Sequence, residues 1–195
     1  MEIETLYNIL LSDKPSVKLK NHEDELFCLI PELKKCKGFL QNNDWHIYDV
    51  YEHILHVIDN VSPNLIMRLS ALFHDIGKPN SYKEDENKVG HFYGHWELSK
   101  EIFIKYSSKF NLDIKDSNRI SDLIYYHDVS ISKLDDNRLN ELIEKLDVDG
   151  IEQLYDLKKA DLLAQNKKYH YILNEYEIEK QKLLQETFDK LEKRN

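Results

Sequence analysis

The sequence predicts an all-α protein, and three observations carry that expectation. Only five glycines and four prolines occur in 195 residues, so turn-formers are scarce. Leu, Lys, Glu and Ile abound, a composition that favours helix over strand. Apolar residues recur at three- and four-residue spacing through most of the chain. A hydrophobic fraction of 41% with 11% aromatics excludes disorder. The length, close to the usual size of about 150 residues for one unit, predicts a single domain over residues 1–195.

The elements follow in order. A short helix is expected over Ile3 to Leu11, then a loop around Lys14-Pro15. A second helix runs from about Asp24, burying Leu26, Leu29, Ile30 and Leu33, with Gly38 at its exit. From Tyr48 to Val61, Val50, Ile54, Val57, Ile58 and Val61 share one helical face. Pro63 separates this helix from Leu65 to Ile76, whose apolar residues cover nearly the whole circumference. A helix surrounded by protein reads that way, so this one is expected at the centre, stopped by Gly77 and Pro79. The polar stretch Asn80 to Gly90 predicts a surface loop or small flap.

Helical spacing resumes with Trp96, Ile102, Phe103 and Tyr106, and again with Ile120, Leu123 and Ile124 behind a cap at Asp116 or Ser117. It continues with Leu139, Leu142, Ile143 and Leu146, and Gly150 opens a further helix carrying Leu154, Leu157 and Asp161. The last segment, about 167–193, is a long amphipathic helix with Tyr169, Ile172, Leu173, Tyr176, Leu183, Leu184, Phe188 and Leu191. Either packing against the domain or a dimer seam would cover that stripe, so a homo-oligomer stays open.

Charge narrows the function. Lys and Arg number 27 against 36 Asp and Glu, a net charge of −9, which disfavours bulk nucleic acid as partner. A local stripe of Lys100, Lys105, Lys109 and Lys115 keeps RNA in view. A small phosphorylated ligand is compatible with an acidic chain, because a bound metal ion reverses the potential inside a pocket. Cys28 and Cys36 form no CxxC pattern, so buried free thiols are expected rather than a zinc-thiolate site or a disulfide framework. The start, Met1-Glu2-Ile3-Glu4, has no basic region, and no stretch nears eighteen apolar residues. Neither export nor a membrane is expected, and the expected location is the cytoplasm.

The candidate chemistry lies in nine histidines and a few inward carboxylates. With Val50 at zero and roughly 100° per residue, His53 falls near −60° beside Val57, whereas His56 falls near −120° and leaves the apolar face. His74-Asp75 ends an apolar helix, where a bare buried charge would cost several kcal/mol. Asp161 continues the Leu154–Leu157 seam where another leucine would be expected. Each has an ordinary alternative: a core histidine, a capped helix end, or for Asp161 an N-cap or an ion pair with Lys158. His95 follows Gly94 at a helix restart, and His127 ends the segment Ile120 to Tyr126. Together they form an imidazole and carboxylate set suited to Mn, Fe, Co, Ni or Zn, of the kind helical bundles assemble from facing helices. His22, His46 and His170 read as surface or ordinary structural residues.

The order His53, His74-Asp75, Asp161 resembles the H…HD…D signature of the HD superfamily of metal-dependent phosphohydrolases. The strings YDVYEHILH (48–56), RLSALFHDIGKP (68–79), HFYGHWELS (91–99) and LIYYH (123–127) are similar to the HD domain of bacterial CCA-adding tRNA nucleotidyltransferases. IPELKKCKGFLQ (30–41) resembles the approach to that domain. The likeness spans about 26–161, giving an HD-domain helical bundle with a core about 26–165. No Gly-rich nucleotidyltransferase head is read in these residues, so CCA addition is not an expectation the resemblance carries. Trp96 stands where that family usually carries Glu.

The resemblance implies that His53, His74, Asp75 and Asp161 bind one divalent ion and that His95 and His127 complete a second site with Asp75 bridging. Mn, Fe, Co, Ni or Mg would serve. Asp75 and Lys78 are then the expected catalytic residues, with Lys78, His91 and Ser99 facing the substrate. Lys78 matches the lysine of HDIGK, whose ammonium would sit over the phosphate; a solvated helix-end lysine is the plain alternative. The implied activity is hydrolysis of a small nucleotide-like phosphomonoester or a 2',3'-cyclic phosphate. A cyclic-nucleotide phosphodiesterase and a non-catalytic RNA- or nucleotide-binding module are the competing expectations.

Overall fold

The N-terminal third is built from short helices whose ends are set by proline. In the computed structural model, which describes residues 1–194, these are α1 (Ile3–Leu10), α2 (Pro15–Asn21), α3 (Glu23–Leu29) and α4 (Pro31–Cys36). Pro15 and Pro31 each open a helix, where the missing N–H costs nothing. The expected loop at Lys14-Pro15 is therefore only the doorway to α2. The single helix expected from Asp24 is two, because Pro31 bars Ile30 from the helical region and holds it at φ −130°, ψ 81°. Leu26, Ile30 and Leu33 are fully buried beside Leu6, Leu10 and Leu19. Leu29 is half-buried. Cys36 is buried but Cys28 is exposed, contrary to the expectation of two buried thiols.

Two helices then carry the centre. Asp49 caps α5 (Val50–Asn60) by accepting from the Glu52 N–H at 2.7 Å, and Asn64 caps α6 (Leu65–Phe73) by accepting from the Met67 N–H at 3.0 Å. Every residue from Met67 to Phe73 is buried, including Arg68 and Ser70, so α6 is the enclosed helix its composition predicts. It stops three residues sooner than expected, and His74 to Gly77 form a turn. Gly77 has right-handed φ −79°, so its role is not a left-handed cap. Space decides it: an added Cβ would lie 2.6 Å from the His95 carbonyl oxygen and 2.7 Å from the Ser99 nitrogen. Pro79 belongs to a single-turn helix, α7 (Lys78–Ser81).

The expected flap is a hairpin of β1 (Lys83–Glu84) and β2 (Gly90–His91), antiparallel with Lys83 opposite His91. α8 (His95–Ser107) and α9 (Ile114–Tyr126) follow, α9 being capped by Asp113, a turn before the expected Asp116 or Ser117. α10 (Asp136–Leu163) breaks at Asp147 (φ 54°, ψ −168°), whose Oδ1 accepts from the Gly150 N–H at 3.0 Å and restarts the helix. A 3-10 segment (Lys167–Ile172) leads into α11 (Leu173–Arg194), which packs along α10 and buries Leu183, Leu184 and Thr187. Ile178 and Phe188 remain exposed, and the Leu191 side chain lies outside the described residues. α5, α6, α9 and α10 pack on one another around the enclosed end of α6. Among the described residues no helix is long and apolar enough to cross a membrane.

Candidate metal centre

Three elements bring four side chains together at the C-terminal end of α6. His53 comes from the buried face of α5, His74 and Asp75 from the turn after α6, and Asp161 from the last turn of α10. Their ligand atoms all lie within 4.8 Å of one another. His53 Nε2 is 2.9 Å from Asp161 Oδ1 and 3.3 Å from Asp75 Oδ2, and His74 Nε2 is 3.4 Å from the same Oδ2. The other Asp75 oxygen faces a second group. Oδ1 lies 3.1 Å from Nε2 of His95, the first residue of α8, and 3.5 Å from Nε2 of His127, just beyond α9. Asp75 is thus shared by two groups of potential ligands, with two histidines facing each of its oxygens.

The hydrogen bonds behind these rings fix which nitrogen faces inward. Nδ1 of His74, His95 and His127 lies 2.7, 2.8 and 2.7 Å from the carbonyl oxygens of Ala71, Phe92 and Ile124, each three residues earlier. A carbonyl only accepts, so each of these Nδ1 atoms carries a proton and each ring turns its Nε2 toward the centre. His74 and His53 bring Nε2 atoms to 3.4 Å, His95 and His127 to 3.3 Å. Both Asp75 oxygens are buried without an aligned hydrogen bond, as is His53 Nδ1. On the Oδ1 side, where Nε2 of His95 and His127 meets a carboxylate oxygen away from water, such an arrangement is costly unless a proton or a cation lies between the atoms. The donor set of imidazoles and carboxylates fits a divalent transition ion.

Electrostatics agree. Burial lowers the His53 pKa, but its bonds to Asp161 and Asp75 outweigh this and raise it to about 9. Burial holds His127 below the usual histidine range. Burial alone would raise Asp75 and Asp161, yet Lys78 and His74 hold Asp75, and His53 holds Asp161, well below the carboxylate range. Both carboxylates therefore stay ionised and available as ligands.

A cavity of about 280 Å³ opens over the centre, lined by Asp75, His95, His127 and Asp161 together with Lys78, His91 and Trp96. Lys78 is buried, not solvated: Nζ lies 2.7 Å from Asp75 Oδ2, donates to Gln41 Oε1 at 2.9 Å and sits 3.2 Å from His46 Nε2. His91 stands at the rim, half-buried, 3.0 Å from Asp85 Oδ2. Ser99 departs from expectation. Its hydroxyl is buried and accepts from the Gly77 N–H at 2.9 Å, tying α8 to the turn after His74-Asp75, and it does not line the cavity. Lys158 donates to the Val129 carbonyl, so the alternative of an Asp161–Lys158 pair is not realised. His56 is exposed and stacked on Tyr48, as its helical angle predicts.

Sequence reasoning missed His46. It reads as an ordinary residue of an aperiodic loop, yet it lines the cavity and meets the His53 ring edge-on at 5.3 Å. Burial and the Lys78 charge drop its pKa to about 2, so it stays neutral. Gln41 and Gln165, the latter donating to Asp161 Oδ1 at 3.1 Å, were also invisible. No periodicity marks a loop residue as inward, and none of the three carries a spacing signal.

A mainly helical domain that gathers four histidines and two aspartates into two sets sharing one carboxylate has the donors of a metal-binding domain. The chain belongs to the HD domain family, a family of metal-dependent phosphohydrolases, whose model matches residues 46–165. It is also similar to the A-adding tRNA nucleotidyltransferase of Deinococcus radiodurans, 30% identical over 108 residues, which cover 52% of this chain and 25% of that protein. The likeness thus spans about a quarter of that relative's length.

Proposed function

We propose that this chain hydrolyses a phosphate ester of a small nucleotide-like molecule, a phosphomonoester or a 2',3'-cyclic phosphate. One observation carries the reading: two sets of inward ligand atoms meet at Asp75 beneath an open cavity. His53, His74, Asp75 and Asp161 would hold one ion, and Asp75, His95 and His127 a second. A bound divalent ion supplies Lewis-acid polarisation of the phosphoryl oxygen and a water whose pKa is lowered toward ~7.

The chain's own groups do the rest. Lys78 Nζ, fixed by Gln41 and His46, places a positive charge beside the cavity floor where the phosphate charge develops. The Ala71, Phe92 and Ile124 carbonyls keep the His74, His95 and His127 rings from turning. His91, paired with Asp85 at the rim, is within reach of a leaving group that extends outward. In the reaction the water oxygen bonds to phosphorus, the P–O ester bond breaks and the water's proton ends on the leaving oxygen. A monoester yields alcohol and phosphate; a cyclic phosphate opens to a monoester.

The test is elemental analysis of protein purified without chelator, with hydrolysis of p-nitrophenyl phosphate and of a bis-ester after addition of Mn, Co or Ni. One or two transition ions per chain, with monoester turnover lost in His74→Ala, is the expected result. Absence of both metal and turnover after reconstitution would leave the proposal without support. Turnover of the bis-ester alone would redirect it to a phosphodiesterase.

A further inference from the structure

The ground beside the centre narrows the substrate class, on the premise that the phosphohydrolase reading holds. The cavity over the centre is not closed off on the α8 side. Tyr93, Trp96 and Asp128 also line a second cavity of about 820 Å³, which runs past the side chains of α8, the end of α9 and the start of α10. The two adjoin along these three residues, so a ligand lying across them would follow one trough with the ligand sets at its smaller end.

The wide end has its own chemistry. Tyr93 is 73% exposed and its ring lies parallel to His91 at 5.4 Å, while Trp96 and Tyr125 are half-buried along the wall. Lys100 Nζ sits 5.1 Å over the Tyr125 ring and is paired with Asp122 Oδ1 at 3.6 Å. Lys133 and Arg138 are exposed and belong to no ion pair among the described residues, whereas Lys145 is held by Glu141. Four basic side chains against three acidic ones line this cavity, in a chain of net charge −9. Lys133 and Arg138 are the lining cations that no ion pair among the described residues engages.

We propose that the trough binds the nucleotides adjoining the phosphate to be cleaved, so that the substrate is the phosphorylated end of a short single-stranded oligonucleotide. Exposed ring faces accept any unpaired base by stacking, and exposed cations accept backbone phosphates. Chain length is then read and base sequence is not. The whole-chain charge argued against bulk nucleic acid; a local basic and aromatic wall suits a few nucleotides.

The experiment compares mono-, di- and tetranucleotides bearing a 3'-terminal phosphate, with protein loaded with the ion that supports p-nitrophenyl phosphate turnover. The ratio of kcat/KM for tetranucleotide over mononucleotide should be about ten or more, carried mainly by KM. Lys133→Glu with Arg138→Glu should bring that ratio near one and flatten its salt dependence. A ratio near one in the native protein, or one that the double variant leaves intact, overturns the trough while the phosphohydrolase reading stands. If no ester is turned over, that reading fails instead, and anisotropy of a labelled tetranucleotide decides the trough alone. Binding that the double variant weakens about tenfold supports it; no binding overturns it.

Discussion

The two groups of potential ligands that meet at Asp75 are unequal in charge and in how firmly their rings are held. His53, His74, Asp75 and Asp161 supply four ligands with two negative charges. Asp75, His95 and His127 supply three, with only the shared carboxylate. Yet the smaller set is the better anchored, since both its histidines are tied to carbonyls, while His53 Nδ1 has no partner. Charge favours the first set, and rigidity favours the second.

The largest effect should come from the residue both sets share. Asp75→Ala should remove bound metal altogether and lower monoester turnover by more than about a hundredfold, read by elemental analysis and steady-state rates. The comparison sharpens with a pair of variants. Asp161→Ala should strip the first set, whereas His127→Ala should leave about one ion per chain bound while turnover falls; equal metal loss in both would erase the distinction.

A smaller effect follows from protons. Without an ion His53 is protonated below about 9, and a ligand must be neutral. Uptake at neutral pH should therefore release a proton, and apparent affinity should climb as pH rises toward 9. Titration calorimetry in buffers of different ionisation enthalpy measures this. Smallest, Ser99→Ala leaves the buried Gly77 N–H without its acceptor and should cost about 1–3 kcal/mol, seen as a lower denaturation midpoint. His56→Ala should change neither metal content nor rate.

What the sequence could show followed from periodicity. His53 was legible because it shares a face with Val50 and Val57, and Asp161 because it stands where a leucine would continue a seam. His74-Asp75 announced itself by charge at the end of an apolar helix. His46 was not legible, since a loop residue has no period and only the folded chain lays it over His53. Ser99 lay inside a motif but turned its hydroxyl to the Gly77 backbone, an arrangement set by the close approach of α8. α2 was hidden because a proline that starts a helix looks, in sequence, like one that ends it.

The most direct test is anomalous scattering from crystals of the protein soaked in Mn²⁺. A peak is expected about 2.0–2.3 Å from His53 Nε2, His74 Nε2, Asp75 Oδ2 and Asp161 Oδ1, with any second, weaker peak on the Oδ1 side of Asp75 against His95 and His127. A centre with no peak on either side of Asp75 would contradict this expectation.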